Sequence, residues 1–420
     1  MIWIETRPVH DCTLTVPGSK SYTHRLQIAA ALSPGRCTID NALRSEDTDL
    51  TLGALRQMGV HVVEDGPKLA IDGCGGRFAP ADGPINLGNS GTSMRLLISI
   101  ACLGQGEYLL TGTSRMQERP VQPLVTALTQ IGVPIACIRD NGCPPVSITG
   151  GGVKGGAIAI DCALSSQFLS SLLLTAPCLR HGLNIKVTGQ TVSKPYIDMT
   201  VDILKRFGIR VDREGYDQFE VPGRQRFAPG HYSVEPDISN ASYFWAVGAL
   251  SGRRITVKGI SPGSLQGDLE IVTLFEQMGC RVTHVGDRLS VQGGSLRGID
   301  ADMGDLPDMV PTLAVVAAFA RGTTVIRNVA HLKAKECDRL AAVMTELGRM
   351  GIETRSDGNR LTIIGGAPKG AEIETYNDHR IAMSFAVAGL MAEGTRIRNE
   401  RCVEKSFPDF WRVFNQLTEG

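Results

Sequence analysis

The sequence predicts an α/β chain of six repeated units, each reading strand, helix, strand, helix, strand, turn, strand. Three observations carry this. A glycine followed by a short apolar run recurs at Gly35, Gly106, Gly182, Gly252, Gly322 and Gly394, in segments such as GEYLLTG and GRRITVKG, at spacings of 70 to 76 residues. In step with it, Gly59, Gly132, Gly208, Gly279 and Gly351 each follow a helix-like stretch such as LVTALTQIG and precede two strand-like runs. Between those runs stand the hairpin signals Asp65-Gly66, Asn141-Gly142, Glu214-Gly215 and Asp357-Gly358. A fixed period of this length marks a repeat architecture.

In chain order, the first helices of the six units open at PGSKSYTHR (17–25), LGNSGTSMR (87–95), ALSSQFL (163–169), PDISNASYF (236–244), LPDMVPT (306–312) and YNDHRIAMSF (376–385). The second helices open at RSEDTDL, SRMQERP, TVSKPYID, SLQGDLE, AKECDRL and EKSFPDF. Ser, Thr, Asn and Asp at such places are ordinary N-caps. A hairpin closes each of the first five units, as in HVVEDGPKLAIDG and RVTHVGDRLSVQG. The sixth unit stops early: its helix DFWRVFNQL reaches Gly420 with no hairpin after it. Two strand-like runs at the other end, MIWIET and CTLTVPG, are expected to complete it.

At 420 residues the chain suits two domains of roughly 200 residues. Repeat phase divides them into residues 16–229, and residues 1–15 with 230–420, three units in each. Lys plus Arg equal Asp plus Glu, 43 of each, so no global field draws the protein to nucleic acid or an anionic membrane. A ring around nucleic acid would carry cations along its helices, whereas LISIACLG and LAVVAAF are apolar. Eleven cysteines without a CxxC pair suit a reducing compartment. The start lacks a basic-then-apolar signal, and the longest apolar run, from Val310, is too short for a span. A cytoplasmic, monomeric protein is expected.

Cations cluster at the polar corners. Lys20, Arg25, Arg95, Arg119, Lys194, Lys335, Arg339, Arg380 and Lys405 are expected at or near helix N-termini, where the macrodipole disfavours positive charge by roughly 0.3 to 1 kcal/mol each. Something anionic should offset that, and backbone N–H groups, hydroxyls and guanidinium forks together suit phosphate or carboxylate. Asp308 and Glu336 stand among these cations, either as ion-pair partners or as groups that move protons beside a bound polyanion. No metal box, Walker motif or dinucleotide glycine motif is present, so neither a metal nor a cofactor is expected. The corners suit a cofactor-free transferase acting on phosphorylated acids.

Taken in order, PGSKSxxxR, LGNxGTxMR, RMxERP, SSQFL, VSKPYID, KExDRL, YNDHRxAM and KSFPD resemble the 5-enolpyruvylshikimate-3-phosphate synthase family from end to end. The resemblance implies a two-domain inside-out α/β barrel closing on its substrates. It implies transfer of the enolpyruvyl group of phosphoenolpyruvate to the 5-hydroxyl of shikimate 3-phosphate, with release of phosphate. The shikimate 3-phosphate site would fall on Lys20, Ser21, Arg25, Ser165, Ser166, Gln167, Ser193, Tyr196, Asp308 and Lys335. That for phosphoenolpyruvate would fall on Lys20, Asn89, Gly91, Thr92, Arg119, Gln167, Arg339, Arg380 and Lys405. Asp308 looks like the base on the 5-hydroxyl, and Glu336, with Lys20, like the proton donor to carbon. Leu96 replaces a proline found in many relatives, so sensitivity to the herbicide glyphosate does not follow. His331 stands where some members place an asparagine. The sister family acting on UDP-N-acetylglucosamine usually carries a cysteine before its RP motif; GTSRMQERP has none. A silent anion-binding protein on the same fold is the other alternative.

Overall fold

Several polar corners become helix starts because a side chain answers a backbone N–H that the helix end leaves open, as at Ser90, Asp237, Asp338 and Asp378. Asp237 accepts from the Asn240 N–H at 2.8 Å and so begins the helix Ile238–Ser251, which stops at Gly252 in the left-handed conformation, φ 72°. The other first helices are Lys20–Leu32, Gly91–Ala101, Gln167–Thr175, Val310–Ala318 and His379–Gly389. Apolar or small residues surround most of their circumference, and nearly every residue in them is buried. The second helices, such as Pro195–Arg206 and Arg339–Arg349, bury one face only. The computed structural model describes residues 1–419; Gly420, expected to end the sixth unit, lies outside the described residues.

Among the described residues, five four-stranded sheets and one three-stranded sheet accompany these helices. In each full sheet the opening strand runs parallel to its neighbour and the hairpin antiparallel, as where Gly156–Asp161 pairs with Leu183–Thr188 and that strand with Gln218–Val221. Leu183–Thr188 alternates buried and exposed residues, so the sheet presents one face to the core and one to water.

Two opening strands are exchanged. Cys12–Leu14, expected in the sixth sheet, instead pairs in parallel with Ile255–Lys258 of the fourth repeat, Cys12 opposite Ile255. His231–Ser233, which precedes the fourth repeat's helix, pairs in parallel with Arg36–Asp40 of the first repeat. Ile2–Trp3 alone joins the sixth sheet, antiparallel to Arg396–Ile397. Both runs at the N-terminus share one pattern of apolar residues, and pattern cannot choose between partners so remote in sequence.

The chain divides into two compact units, Lys20–Val234, and Met1–Ser19 with Glu235–Gly420. Each has its own apolar core, one running from Tyr22 to Val234 and the other from Ile4 to Leu417. No helix among the described residues is long and apolar enough to cross a membrane.

The N-terminal segment crosses the end of helix His379–Gly389 where a side chain would obstruct it. A Cβ on Gly389 would lie 2.8 Å from the Ile4 Cβ. Gly389→Ala is therefore expected to cost about 1 to 3 kcal/mol through overpacking. Urea unfolding measures this, and an unchanged midpoint would show that Ile2–Ile4 is not packed there.

Candidate active site

In the unit Lys20–Val234, three inner helices start with polar residues. Lys20 opens the first, and its Nζ donates to Asp47 Oδ2 at 3.0 Å, both residues being buried. The second begins at Gly91, after the cap Ser90. Arg119 lies across this glycine: a methyl group there would come within 2.4 Å of Nη2. Arg119 Nη1 also donates to the Asn89 carbonyl at 2.9 Å and to Asn89 Oδ1 at 3.3 Å. The third begins at Gln167, whose Nε2 donates to Thr92 Oγ1 at 2.9 Å while its Oε1 accepts from Arg95 Nη1 at 2.9 Å. A donor on one side and an acceptor on the other fix which way the amide points.

Ser165 Oγ accepts from the Gln167 N–H at 3.2 Å, and Ser166 is buried at the same corner. Ser193 holds a left-handed backbone, φ 55°, and its carbonyl accepts from the Tyr196 N–H. Arg25 is turned inward. It donates to Thr200 Oγ1 at 2.8 Å, to the Ser21 carbonyl at 3.0 Å, and to Ser170 Oγ and the Tyr196 carbonyl at 3.2 Å each. Burial lowers its pKa to about 10, against the opposing pull of Tyr196 and Tyr22, so it remains a cation at neutral pH.

In the unit of Met1–Ser19 with Glu235–Gly420, one guanidinium gathers three carboxylates. Arg339 donates from Nε to Asp378 Oδ2 at 2.7 Å, from Nη1 to Asp308 Oδ1 at 2.7 Å and from Nη2 to Glu336 Oε2 at 2.6 Å. Burial, the largest single influence, would lower its pKa; Asp378, Glu336 and Asp308 together outweigh it and hold Arg339 well above its ordinary value. Asp308 Oδ2 accepts from Arg380 Nη2 at 2.9 Å, and Arg380 Nη1 donates to the Tyr243 hydroxyl at 3.1 Å. Asp378 also caps the helix that carries Arg380. Lys405 is buried and Lys335 half-buried.

The cations lie at or near helix N-termini, as expected, but at differing distances from them. Arg119 and Lys335 directly follow the short 3-10 turns Met116–Glu118 and Ala330–Ala334, and Lys405 is the last residue of Glu400–Lys405. They also stand three, four and five residues before the helices Gln122–Thr129, Arg339–Arg349 and Phe410–Asn415. Arg25 and Arg95 lie in the second turns of their helices. Only Lys20, Lys194, Arg339 and Arg380 stand at true helix starts, and carboxylates of the protein meet Lys20, Arg339 and Arg380.

Asp378, Tyr243, Asp47 and Arg95 complete the clusters without having been assigned to a substrate from sequence. Asp268 is a further group of this kind. It is buried, accepts from the Ser239 hydroxyl, and has its pKa pushed up to about 7 by burial and then by Asp308, against the opposing pull of Arg380. Its corner, SLQGDLE, is legible as a helix start; its burial is not. His331 is buried and its pKa falls to about 3 through burial, then Lys335, so it is neutral at any working pH. Among the described residues, no three His, Cys, Asp or Glu side chains are arranged to hold a metal ion.

The profile of the family described as EPSP synthase (3-phosphoshikimate 1-carboxyvinyltransferase) matches residues 7–414. The chain belongs to the EPSP synthase family. The 3-phosphoshikimate 1-carboxyvinyltransferase of Syntrophobacter fumaroxidans is 43% identical over 407 residues, 96% of each chain. That of Methanoregula boonei is 41% identical over 421 residues, 100% of each. A solved EPSP synthase from Acinetobacter baumannii matches with TM-score 0.80 and 30% identity, covering 98% of this chain and 97% of that one. The inside-out α/β fold of six repeats is thereby that of the EPSP synthase family.

Asp268 supplies a test by pH. The folded protein keeps this proton to about pH 7, whereas the unfolded chain releases it near 3.8. Its contribution to stability is therefore full below about pH 4 and is lost as pH rises through about 7. Asp268→Asn can still accept from Ser239 and lacks this loss, so its melting temperature relative to the parent should climb between about pH 4 and 7 and then level. Thermal melts across that range decide, and parallel curves would rule the buried proton out.

Proposed function

We infer that the chain transfers the enolpyruvyl group of phosphoenolpyruvate to the 5-hydroxyl of shikimate 3-phosphate and releases phosphate, a step of the shikimate route to aromatic amino acids. The observation that carries this is the family match along residues 7–414. We assign the acceptor to Lys20, Ser21, Arg25, Ser165, Ser166, Gln167, Ser193, Tyr196, Asp308 and Lys335. The donor is assigned to Lys20, Asn89, Gly91, Thr92, Arg119, Gln167, Arg339, Arg380 and Lys405. In this reading the unit Lys20–Val234 supplies most of the acceptor site. Guanidinium forks suit the carboxylate and phosphate of phosphoenolpyruvate, and Arg25 braces Tyr196 and the helices behind the serines.

The chemistry needs a base on the 5-hydroxyl and a proton delivered to the methylene carbon, giving a tetrahedral ketal phosphate that then expels phosphate. We assign the base to Asp308 and the proton delivery and recovery to Glu336, assisted by Lys20. The ion pairs support a coupling between binding and chemistry. Asp308 shares its charge with Arg339 and Arg380, and Glu336 shares its charge with Arg339. A carboxylate in that state is a weak base. Substrate anions drawing the arginine N–H groups to themselves would release both carboxyl groups to carry protons once the substrate is in place. Within this reading the enzyme works as a cytoplasmic monomer, and its eleven free cysteines suit a reducing compartment.

Phosphate release from phosphoenolpyruvate with shikimate 3-phosphate, compared with UDP-N-acetylglucosamine as acceptor, tests the activity. Release with the sugar nucleotide alone would overturn it, and release with neither would leave an anion-binding protein. Asp308→Asn and Glu336→Gln are each expected to lower kcat about 100-fold or more with the melting transition retained. Gly91→Ala, which pushes a methyl group into the Arg119 guanidinium, should raise KM for phosphoenolpyruvate by about tenfold. Steady-state kinetics check all three, and near-parental values would remove the residue concerned from its role.

A further inference from the structure

Glu346 belongs to none of the corner motifs and to neither substrate set, yet its side chain is wholly buried. It lies on helix Arg339–Arg349, two turns after Arg339 and on the same buried face as Arg339, Ala342 and Val343. Its Oε1 accepts from the Tyr376 hydroxyl at 2.7 Å. Its Oε2 accepts from the Glu374 backbone N–H at 3.1 Å and from Arg349 Nη1 at 3.1 Å. A buried carboxylate persists only when donors surround it in this way. Burial, and then the bond to Glu346, push the Tyr376 hydroxyl up to about 12, so it donates at any working pH.

The segment gripped by these bonds is sharply turned. Tyr376 and Asn377 both have left-handed backbones, φ 53° and 54°, a conformation that persists when neighbouring contacts over-determine it. Glu374 Oε1 accepts from the N–H groups of Thr375 and Tyr376, and the Asp378 N–H closes onto the Thr375 carbonyl at 2.8 Å. Immediately beyond, Asp378 receives Arg339 Nε and caps the helix that carries Arg380. One helix face therefore holds this loop twice, by Glu346 at its base and by Arg339 at its tip.

We propose that Glu346 is a positioning residue: by clamping the turn at residues 374–377 to helix Arg339–Arg349, it sets where Asp378 and Arg380 stand and so how well the site receives the carboxylate or phosphate of phosphoenolpyruvate. This rests on the substrate reading given above. A polar residue serving the core alone would change stability without distinguishing one substrate from the other.

Glu346→Gln keeps the size of the side chain and replaces one accepting oxygen by an NH2 group that faces donors. The expected result is a rise of about tenfold in KM for phosphoenolpyruvate, with KM for shikimate 3-phosphate within about twofold and kcat within about threefold. Tyr376→Phe removes one of the three bonds and should raise the same KM about threefold. Unchanged KM for phosphoenolpyruvate in both variants overturns the proposal, as does an equal rise for both substrates or a fall in kcat alone. If Glu346→Gln does not fold, Tyr376→Phe decides by the same criterion. Arg380→Gln, measured beside them, separates the two layers. If it leaves KM for phosphoenolpyruvate unchanged, the substrate reading falls; if it alone raises that KM, only the role of Glu346 falls.

Discussion

The Arg339 guanidinium is the interaction on which the acidic cluster of its unit depends. Its three nitrogens reach three carboxylates, which come from three separate stretches of chain, at Asp308, Glu336 and Asp378. The group is almost wholly buried, so its charge is tolerable only because it is paired on every side. The dependence is mutual: without the guanidinium, negative charges would face one another in a poorly solvated pocket, a situation costing about 3 to 5 kcal/mol for a broken buried pair. The same few contacts thus fix a loop, a helix cap and both groups assigned to proton transfer.

Charge counting limits what this cluster can do. Two guanidinium groups, of Arg339 and Arg380, face three carboxylates, with Asp268 keeping its proton up to about pH 7 nearby. The cluster is no plain anion trap. Its guanidinium groups are already engaged, so in the reading proposed above an incoming anion competes for N–H groups that the protein's own acids hold. In that substrate reading, binding there is coupled to a change in the neighbouring carboxyl groups.

The architecture was legible wherever its cause was local. Gly252 ends a helix in a left-handed cap, and Gly66 and Gly358 turn hairpins with positive φ, so glycine period and repeat period coincide. Helix starts were legible for the same reason, since Asp237, Asp338 and Asp378 each cap within two or three residues of their own position. Features that depend on remote partners were not. The corner cations were visible, with Asp308 and Glu336 as possible ion-pair partners, but not that Asp378 would join them on Arg339. Gly91 was legible as part of the helix-opening LGNSGTSMR, but not that its lack of a side chain makes room for Arg119. Glu346 sat within an ordinary amphipathic helix, and only the fold reveals that it faces inward toward Tyr376.

The exchanged opening strands carry a consequence for synthesis of the chain. Every strand of the unit Lys20–Val234 is available once His231–Ser233 has been made, so its sheets can close while the remainder is still being translated. The other unit has no such sequence. Cys12–Leu14 must wait for Ile255–Lys258, and Ile2–Trp3 for Arg396–Ile397, near the far end of the polypeptide. For most of translation these first strands have unsatisfied edges, which is the condition that invites wrong pairing. Their shortness, two and three residues, leaves little edge for a stray partner to extend.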